Sequence, residues 1–350
     1  MGDEDRIVVV QKRDGDDIGG DSKRLRVEST ATLALVKSQN IDRTSSLLSP
    51  TMLLTGHGAA VYTLDFDPKT GRNLASAGLD RTILLWEITG ECPNYNVLKG
   101  HKNAILELHW APDGSSIVSC SADKTLMLWD ANQGVRRKGL KGHTAVVNSC
   151  CFSGTGGLIA SGSDDGLVKL WDPRLRRPVK EFMNNYQVTA VCFSKNEEQV
   201  ICGGLDNDIK VFDLRKDGLD MVLRGHSDTI TGLAVSPDGT HLLSNAMDMQ
   251  LRSWDLRPFS KKSRHEKTFS GLQHNAEKNL LKCAWSPDGE MVTAGSSDRA
   301  VHVWDEPTSQ ELYFLPGHTG SVNQVVFHPS EPIIGSCGSD KNIYLGEIGT

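Results

Sequence analysis

The chain repeats itself seven times with a period of about 42 residues, and this repeat limits its fold more than any other feature. An aspartate marks each copy, with successive spacings of 43, 42, 41, 42, 50 and 42 residues: Asp80, Asp123, Asp165, Asp206, Asp248, Asp298 and Asp340. In the first six copies an aromatic residue follows six positions later, and in five copies a Gly-His pair stands upstream. A unit this short cannot bury a core alone, so the copies are predicted to stack into one architecture.

Each copy reads as four short β-strands separated by turns. In the third copy an apolar run is followed by the turn Gly154–Gly157, a second run, the turn Asp164–Gly166 and the third run Leu167–Trp171. Pro-Asp-Gly occupies the first turn of other copies, where proline sets φ and glycine accepts positive φ. The last copy ends soon after its third strand. We therefore expect Thr51–Leu54, just before the first Gly-His, to supply the fourth strand and close a ring.

Gly-His and Trp-Asp at this period resemble the WD-repeat β-propeller family, and the resemblance covers roughly residues 50 to 349. It implies an all-β fold, a seven-bladed WD-repeat β-propeller that spans residues 51–350. Residues 1–50 lie outside the repeat and carry eight basic and nine acidic residues. Because they contain few aromatic residues, they are predicted to form a disordered N-terminal arm.

Each well-kept copy contains a histidine, a serine, an aspartate and a tryptophan. Ser-His-Asp suggests a catalytic nucleophile, but an enzyme does not need one triad at several places around a ring. In proteins that this chain resembles, the quartet is a buried hydrogen-bond network, and that role is expected here. The network residues are His57, Ser76, Asp80 and Trp86; His101, Ser119, Asp123 and Trp129; His143, Ser161, Asp165 and Trp171; and His226, Ser244, Asp248 and Trp254.

Composition excludes several other functions. A net charge of −6 does not fit a protein wrapped by nucleic acid. No run of 18 apolar residues and no signal-peptide pattern occur, so neither a membrane protein nor a secreted one is expected. Eight cysteines without a Cys-x-x-Cys pair indicate reduced thiols. The histidines lack metal-ligand spacing, and His302 and His328 are interpreted as lone surface groups. We therefore predict no catalytic residue, no metal and no cofactor.

Three copies depart from the pattern. The fourth has Asn184 in place of the histidine, and the sixth has His274 two residues early. The seventh has Gly346 in place of the tryptophan. The long spacing of 50 places about eight extra residues around 259–273, between the fifth and sixth blades. This insert carries basic-type residues and is predicted to be a mobile loop that contacts an acidic partner or RNA backbone: Lys261, Lys262, Arg264, His265 and Lys267.

The resemblance also implies a binding surface, because propellers of this family grip other proteins on the top face around the channel. The family's contact positions lie five residues after the Gly-His histidine and one before the turn aspartate. Carried over to this chain, the candidate protein-binding residues are Tyr62, Leu79, Leu106, Asn148, Asp164, Leu205, Thr231, Met247, Leu281 and Asn323. These positions contain large apolar side chains and no Lys or Arg, which favours a protein ligand over a nucleic-acid phosphate. The alternative for each leucine is packing between blades.

Segments outside the generic pattern point to one branch of the family. Residues 203–215, 242–248, 254–259 and 277–289 resemble the spliceosomal WD-repeat proteins of the U5 small nuclear ribonucleoprotein. This resemblance implies a nuclear, non-catalytic, monomeric scaffold in pre-mRNA splicing. Its implied partners are the large U5 proteins, the central scaffold and the helicase, with RNA contact indirect or minor.

Other functions remain open from sequence alone. Three arginines in WDxR-type motifs, Arg174, Arg215 and Arg257, resemble those of substrate receptors of cullin-based ubiquitin ligases. Their alternative is an arginine that contacts a neighbouring blade. A chromatin or signalling adaptor is a third possibility. In the arm, a cluster formed by Lys23, Arg24 and Arg26 has the composition of a nuclear import signal, with an ordinary solvated charge run as the alternative.

Overall fold

The computed structural model of the chain describes residues 45–259 and 264–349. Within these ranges it contains 28 β-strands and no helix, arranged as seven four-stranded antiparallel sheets. The first strand of each sheet contacts that of the next, and the first sheet meets the last. The sheets therefore form a closed ring of blades around a central channel, and the predicted all-β, seven-bladed propeller is confirmed. The predicted disorder of the arm falls largely on residues 1–44, outside the described residues.

We number the strands along the chain from β1 (Thr51–Leu54), which joins blade seven. Blade one contains β2 (Val61–Phe66), β3 (Asn73–Gly78), β4 (Thr82–Glu87) and β5 (Asn94–Lys99). Blade two contains β6 (Ile105–Trp110), β7 (Ser116–Ser121), β8 (Thr125–Asp130) and β9 (Val135–Lys141). Blade three contains β10 (Val147–Phe152), β11 (Ile159–Ser163), β12 (Leu167–Trp171) and β13 (Pro178–Met183).

The remaining blades follow the same order. Blade four contains β14 (Val188–Phe193), β15 (Gln199–Gly204), β16 (Ile209–Asp213) and β17 (Gly218–Leu223). Blade five contains β18 (Ile230–Val235), β19 (His241–Ala246), β20 (Leu251–Asp255) and β21 (His265–Phe269). Blade six contains β22 (Cys283–Trp285), β23 (Met291–Ala294), β24 (Ala300–Asp305) and β25 (Glu311–Pro316). Blade seven contains β26 (Val322–Phe327), β27 (Ile333–Gly338) and β28 (Ile343–Glu347), completed by β1.

The hydrophobic core lies between neighbouring blades. The second strands, such as β7 and β27, are buried along their whole length, whereas outer strands such as β5 are mostly exposed. Ile83 and Leu85 of blade one share one core cluster with Ile105 and Trp110 of blade two. Because each blade buries its faces only against its neighbours, a single blade has no core of its own.

The beginning of the chain completes blade seven. β1 pairs antiparallel with β28, with Leu54 opposite Ile343, and the predicted closure by Thr51–Leu54 is confirmed. Leu54 is buried. Residues just before β1 also belong to the packed ring, since Leu47 is buried and forms a parallel bridge with Gly90 of blade one.

Polar side chains on the first strands join each of several blades to the next. At four junctions a side-chain oxygen accepts a hydrogen bond from a backbone N–H of the following blade at 2.9 to 3.2 Å: Gln324 from Leu64, Thr63 from Leu108, Glu107 from Cys150 and Ser149 from Val191. One position earlier, four side chains donate to a backbone carbonyl of the following blade: Asn148, Thr189, Thr231 and Asn323. These bonds give partners to backbone N–H and C=O groups at the inner edges of the sheets, where no further strand pairs with them.

A buried ion pair spans the channel. Lys282 Nζ of blade six lies 3.1 Å from Glu107 Oε1 of blade two, and both side chains are more than nine-tenths buried. These blades are not neighbours, so the pair connects opposite parts of the ring. Burial alone would raise the pKa of Glu107, but the charge of Lys282 lowers it to about 2. Burial would also lower the pKa of His109, yet the carboxylates of Asp65 and Glu107 raise it. The channel thus contains a compact network of charges.

Removing β1 is expected to open the ring. A chain that begins at Gly56 lacks the partner of β28 and the buried Leu54, whose burial alone is worth roughly 2 kcal/mol. It should melt at a lower temperature and self-associate through the exposed edge. Calorimetry and sedimentation measure both effects. A chain that begins at Ser45 is the control, because it keeps β1. Equal melting of the two truncations, both monomeric, would refute the closure.

Breaking the channel pair from one side is expected to be costly. Lys282→Met leaves Glu107 charged and buried without its cation, which typically costs about 3–5 kcal/mol of unfolding free energy. Adding Glu107→Gln should restore part of that loss, since the amide oxygen still accepts the N–H of Cys150. Denaturant unfolding of the two single variants and the double variant measures the coupling. Additive losses would show that the two side chains do not interact.

Candidate protein-interaction surface

Four complete copies of one hydrogen-bond network connect the turns of the blades to their third strands. In blade three, His143 Nδ1 lies 2.8 Å from Asp165 Oδ2, and its Nε2 lies 2.8 Å from Ser161 Oγ. Trp171 Nε1 donates to the same oxygen at 2.8 Å. Asp165 also accepts the backbone N–H of Thr144, so one carboxylate joins two chain segments. The other complete sets are the residues predicted in blades one, two and five.

The connectivity of this network matches a Ser-His-Asp triad, but its surroundings do not suit a nucleophile. Ser161 is fully buried, and its oxygen already accepts the indole N–H of Trp171. A substrate would have to displace that donor and enter a packed blade. Losing one partner in such a network costs about 1–3 kcal/mol, because the remaining polar group is left buried without a hydrogen bond.

The degenerate blades replace the network with other pairs. In blade four, Asn184 stands in the place of histidine and donates to the carbonyl of Tyr186, while Asp206 pairs with Lys210 at 2.6 Å. In blade seven the histidine, serine and aspartate remain as His318, Ser336 and Asp340, and Tyr344 packs edge-on against the imidazole at 4.6 Å. Trp-to-Gly replacement at position 346 is therefore compensated by an aromatic ring from two residues earlier.

Two histidines interpreted as surface groups are in fact buried, so that interpretation is wrong. In blade six, His302 bridges Asp298 and Glu311 at 2.7 Å each and stacks on Trp304. It replaces His274, whose ring nitrogens are buried without a hydrogen-bond partner among the described residues. The second, His328, is 3 % exposed, lies 2.9 Å from the carbonyl of Gly71, and accepts the N–H groups of residues 330 and 331.

The network holds its aspartates in the ionised state. Burial alone would raise the pKa of Asp80, but hydrogen bonds from His57 and from Thr82 lower it to about 2. The pKa values of Asp123, Asp165, Asp248 and Asp340 are also lowered, since a histidine and backbone N–H groups hold each carboxylate against the same burial. At neutral pH the turns are therefore fixed by charged acceptors.

Ser161→Ala is expected to destabilise the ring. The change leaves Nε2 of His143 and Nε1 of Trp171 without their shared partner, so the free energy of unfolding should fall by about 1–3 kcal/mol. Chemical denaturation measures the loss. Ser227→Ala, at an exposed position, is the control and should stay within about 0.5 kcal/mol of the parent. Equal losses for the two variants would contradict the proposed role of the network.

The seven aspartate turns define the top face of the ring. In all seven, the residue after the aspartate adopts a left-handed conformation with φ between 63° and 77°: Arg81, Lys124, Gly166, Asn207, Met249, Arg299 and Lys341. Six of these are not glycine, although a left-handed φ is costly for them. Four turns carry Arg or Lys at this position. Met249 is the apolar exception, and half of its surface is exposed.

The ten candidate binding residues divide into three groups by their exposure to solvent. Leu79 and Leu205 are 48 % and 50 % exposed. Tyr62, Leu106, Asp164 and Met247 are partly buried. Asn148, Thr231, Leu281 and Asn323 are buried. Of the buried residues, Asn148, Thr231 and Asn323 form the ties between blades described above, so a partner has no access to them in the closed ring.

Leu281 was expected to be an apolar anchor at the channel mouth, and this expectation is wrong. Its side chain is fully buried, and its carbonyl accepts hydrogen bonds from Thr231 and Asn245 of blade five. It is an example of the alternative interpretation, in which a leucine packs between blades. The reason is that blade six begins late: β22 has only three residues, and the chain before it is held against blade five.

Three exposed apolar residues of the top face were missed from sequence. Met183 is the last residue of β13 and is 71 % exposed. It pairs with Leu167, which directly follows the aspartate turn of blade three. Tyr186 lies in the connection to blade four and is 57 % exposed. Met249 belongs to the turn of blade five. Its signal was present in the sequence, as a methionine where most turns carry a basic residue, whereas the other two occupy positions outside the repeat pattern.

The insert is divided differently from the prediction. Residues 265–269 form β21, the outer strand of blade five, so the extra residues fall into a loop before it and a longer connection after it. Arg264 donates to the carbonyls of Asp255 and Arg257, and Lys267 binds Glu306 of blade six at 2.8 Å. His265 packs edge-on against Trp254. These residues are fixed in the ring, which contradicts a single mobile basic loop, while Lys261 and Lys262 lie outside the described residues.

The arginines of the WDxR-type motifs differ in their surroundings. Arg257 binds both carboxylate oxygens of Asp255 at 2.9 Å, and Arg215 binds Glu198 at 2.6 Å. Both ion pairs lie within the arginine's own blade rather than across to a neighbour. Arg174 is exposed and makes no such pair within the described part of the chain. Two of the three arginines are therefore already committed to contacts inside the ring.

Residues 45–259 and 264–349 hold no group of three or more metal-ligating side chains. They also form no helix that is long and apolar enough to cross a membrane. All eight cysteines lie in these ranges as free thiols, and six of them are buried. Burial raises the pKa of most of these thiols, for example that of Cys202 to about 12. These thiols are protonated and poorly reactive at neutral pH.

Comparison with known proteins agrees with the repeat and its ring. The family described as WD domain, G-beta repeat matches seven segments, residues 48–87, 92–130, 134–172, 176–213, 219–255, 266–305 and 309–345. The U5 small nuclear ribonucleoprotein 40 kDa protein of Dictyostelium discoideum is 50% identical over 309 residues, covering 88% of this chain and 87% of that protein. Its Homo sapiens counterpart is 55% identical over 307 residues, covering 87% and 86%.

A further relative extends the similarity to fission yeast. The pre-mRNA-splicing factor cwf17 of Schizosaccharomyces pombe is 43% identical over 327 residues, covering 93% of this chain and 95% of that protein. Matches of this length include the degenerate blades four and six as well as the regular ones. The chain belongs to the WD-repeat family, and within it to the family of the U5 small nuclear ribonucleoprotein 40 kDa protein.

Proposed function

We propose that this chain is a non-catalytic scaffold subunit of the U5 small nuclear ribonucleoprotein that acts in pre-mRNA splicing in the nucleus. Its partners would be large proteins of that particle, the central scaffold and the helicase, with RNA contact indirect or minor. The names of the relatives support the assignment, since they include U5 40 kDa proteins and a splicing factor. Because the match covers nearly nine-tenths of both chains, it supports assigning the role of the whole relative to this protein.

The observation that carries the docking role is the apolar character of the top face at blades four and five. Leu205 and Met249 lie in corresponding turns of these adjacent blades and are each 50 % exposed. Tyr186 lies close to Leu205, because the residue after Tyr186 accepts the backbone N–H of Leu205. Side chains of this size in water are costly unless a partner covers them, and a few such anchors usually carry most of the binding energy.

The proposal also follows from how rigid the ring is. Closure by β1 and the polar ties between blades hold the exposed turns in fixed relative positions. A partner that binds them does not have to order a flexible surface, so less of its binding energy is lost on association. The buried state of the serine of each network supports a scaffold rather than an enzyme.

Replacing the two apolar turn residues tests this role. Leu205→Asp with Met249→Lys should abolish recovery of U5 RNA and the large U5 proteins when the tagged chain is purified from nuclei. The fold should survive, because both residues are exposed and lysine already occupies the equivalent position in blades two and seven. Unfolding temperature is measured on the same samples.

The control variant carries Val97→Asp and Leu219→Asp, which are exposed apolar residues of the outer strands β5 and β17. It should recover the particle like the parent chain. Recovery by the top-face variant as well would place the partner on another face. If the parent itself recovers a cullin adaptor rather than U5 components, the splicing role is wrong.

A further inference from the structure

A basic patch lies at the bottom edge of blades two and three, on the side of the ring away from the aspartate turns. Its cations come from the start of β9 and from the loop between β12 and β13: Arg136, Lys138, Arg174, Arg176 and Arg177. The protein as a whole carries a net charge of −6, so five cations on adjoining segments are a strong local departure.

Hydrogen bonds hold the loop of the basic patch in a defined conformation. Lys138 Nζ donates to the carbonyls of Pro173 and Arg174 at 2.7 and 2.5 Å, which fastens the loop of blade three to the outer strand of blade two. Inside the loop, Leu175 N–H donates to the carbonyl of Asp172, and Arg174 N–H donates to the Asp172 carboxylate at 2.7 Å. The loop is thus held in one shape that presents Arg, Leu, Arg and Arg to solvent.

The nearby carboxylates do not neutralise the exposed arginines. Asp130 is bound by the guanidinium of Arg137 at 2.6 Å, and Asp172 is used within the loop. Arg136, Arg174 and Arg176 are exposed and form no ion pair with the part of the chain that the structure describes; the same holds for Arg177. Their charge is therefore available to a ligand.

Aliphatic side chains are mixed with these cations. Val135, Leu175 and Val179 are 50 %, 52 % and 52 % exposed, and each lies within two residues of an arginine of the patch in sequence. The patch contains no exposed aromatic ring on which a nucleic-acid base would stack. A phosphate backbone would satisfy the arginines but leave the aliphatic groups wet. Arginines interleaved with aliphatic anchors instead suit a protein surface, where arginine is enriched.

We propose that the basic patch is a second docking surface, separate from the top face, for a protein segment in which acidic residues alternate with aliphatic ones. The carboxylates of that segment pair with the exposed guanidinium groups, and its aliphatic side chains cover Val135, Leu175 and Val179. The loop is already ordered by Lys138, so binding costs little conformational entropy there. The proposal does not depend on the splicing role.

The test uses the isolated full chain and three fluorescent probes: a short peptide of alternating Glu and Leu, a matched peptide of alternating Glu and Ser, and a single-stranded oligouridine. Fluorescence anisotropy should show the Glu-Leu peptide binding more tightly than the Glu-Ser peptide. The variant R174E/R176E/R177E should weaken Glu-Leu binding by roughly tenfold or more, because attraction becomes repulsion. Leu175→Ser should weaken Glu-Leu binding and leave Glu-Ser binding unchanged.

The control variant R81E/K102E/K124E makes the same change in net charge on exposed residues of the top side of blades one and two, and should bind the probes like the parent chain. Melting temperatures check that every variant is folded. The proposal is overturned if oligouridine binds the patch more tightly than either peptide, if the control weakens binding as much as the patch variant, or if the Glu-Leu peptide does not bind.

Discussion

The pairing of β1 with β28 is the contact on which the rest of the molecule depends. Every blade buries its faces against two neighbours, so an open ring would leave two blades half-covered and one sheet edge unpaired. Because β1 precedes blade one in the chain, its pairing with β28 reinforces the seam between blades seven and one, which the side chains of Gln324 and Asn323 also hold. The exposed turns keep their spacing only while the seam holds, and a binding surface that spans several blades depends on that spacing.

Much of this arrangement is visible in the sequence, because the repeat is periodic and its turn residues are chemically specific. Seven aspartate registers predict seven blades, and the missing fourth strand of the last repeat predicts the role of Thr51–Leu54. Both predictions rest on short sequence patterns that can be recognised separately in each repeat. The network residues are likewise predictable, since His, Ser, Asp and Trp recur at fixed separations.

The sequence does not reveal which side chains form contacts between segments that are far apart in the repeat pattern. Asn148 and Thr231 occupy positions where the family resemblance predicted contacts with a partner, yet their side chains donate hydrogen bonds to the backbone of the following blade. Blade six shows the same limit: His302, from the third strand, makes the contact with the turn aspartate that the histidine of the Gly-His pair makes in the regular blades. Such exchanges depend on three-dimensional proximity between segments that no spacing rule connects. The split of the insert around β21 belongs to the same class.

Native-state hydrogen exchange across the seam is the most direct test of the claim that the ring is one closed unit. If β1 is an integral strand, its paired amides in residues 51–54 should exchange only on global unfolding, with the same denaturant dependence as those of β26 in the same blade. Exchange of the β1 amides by local opening, insensitive to denaturant while β26 stays protected, would contradict a ring whose two ends are held together by that strand.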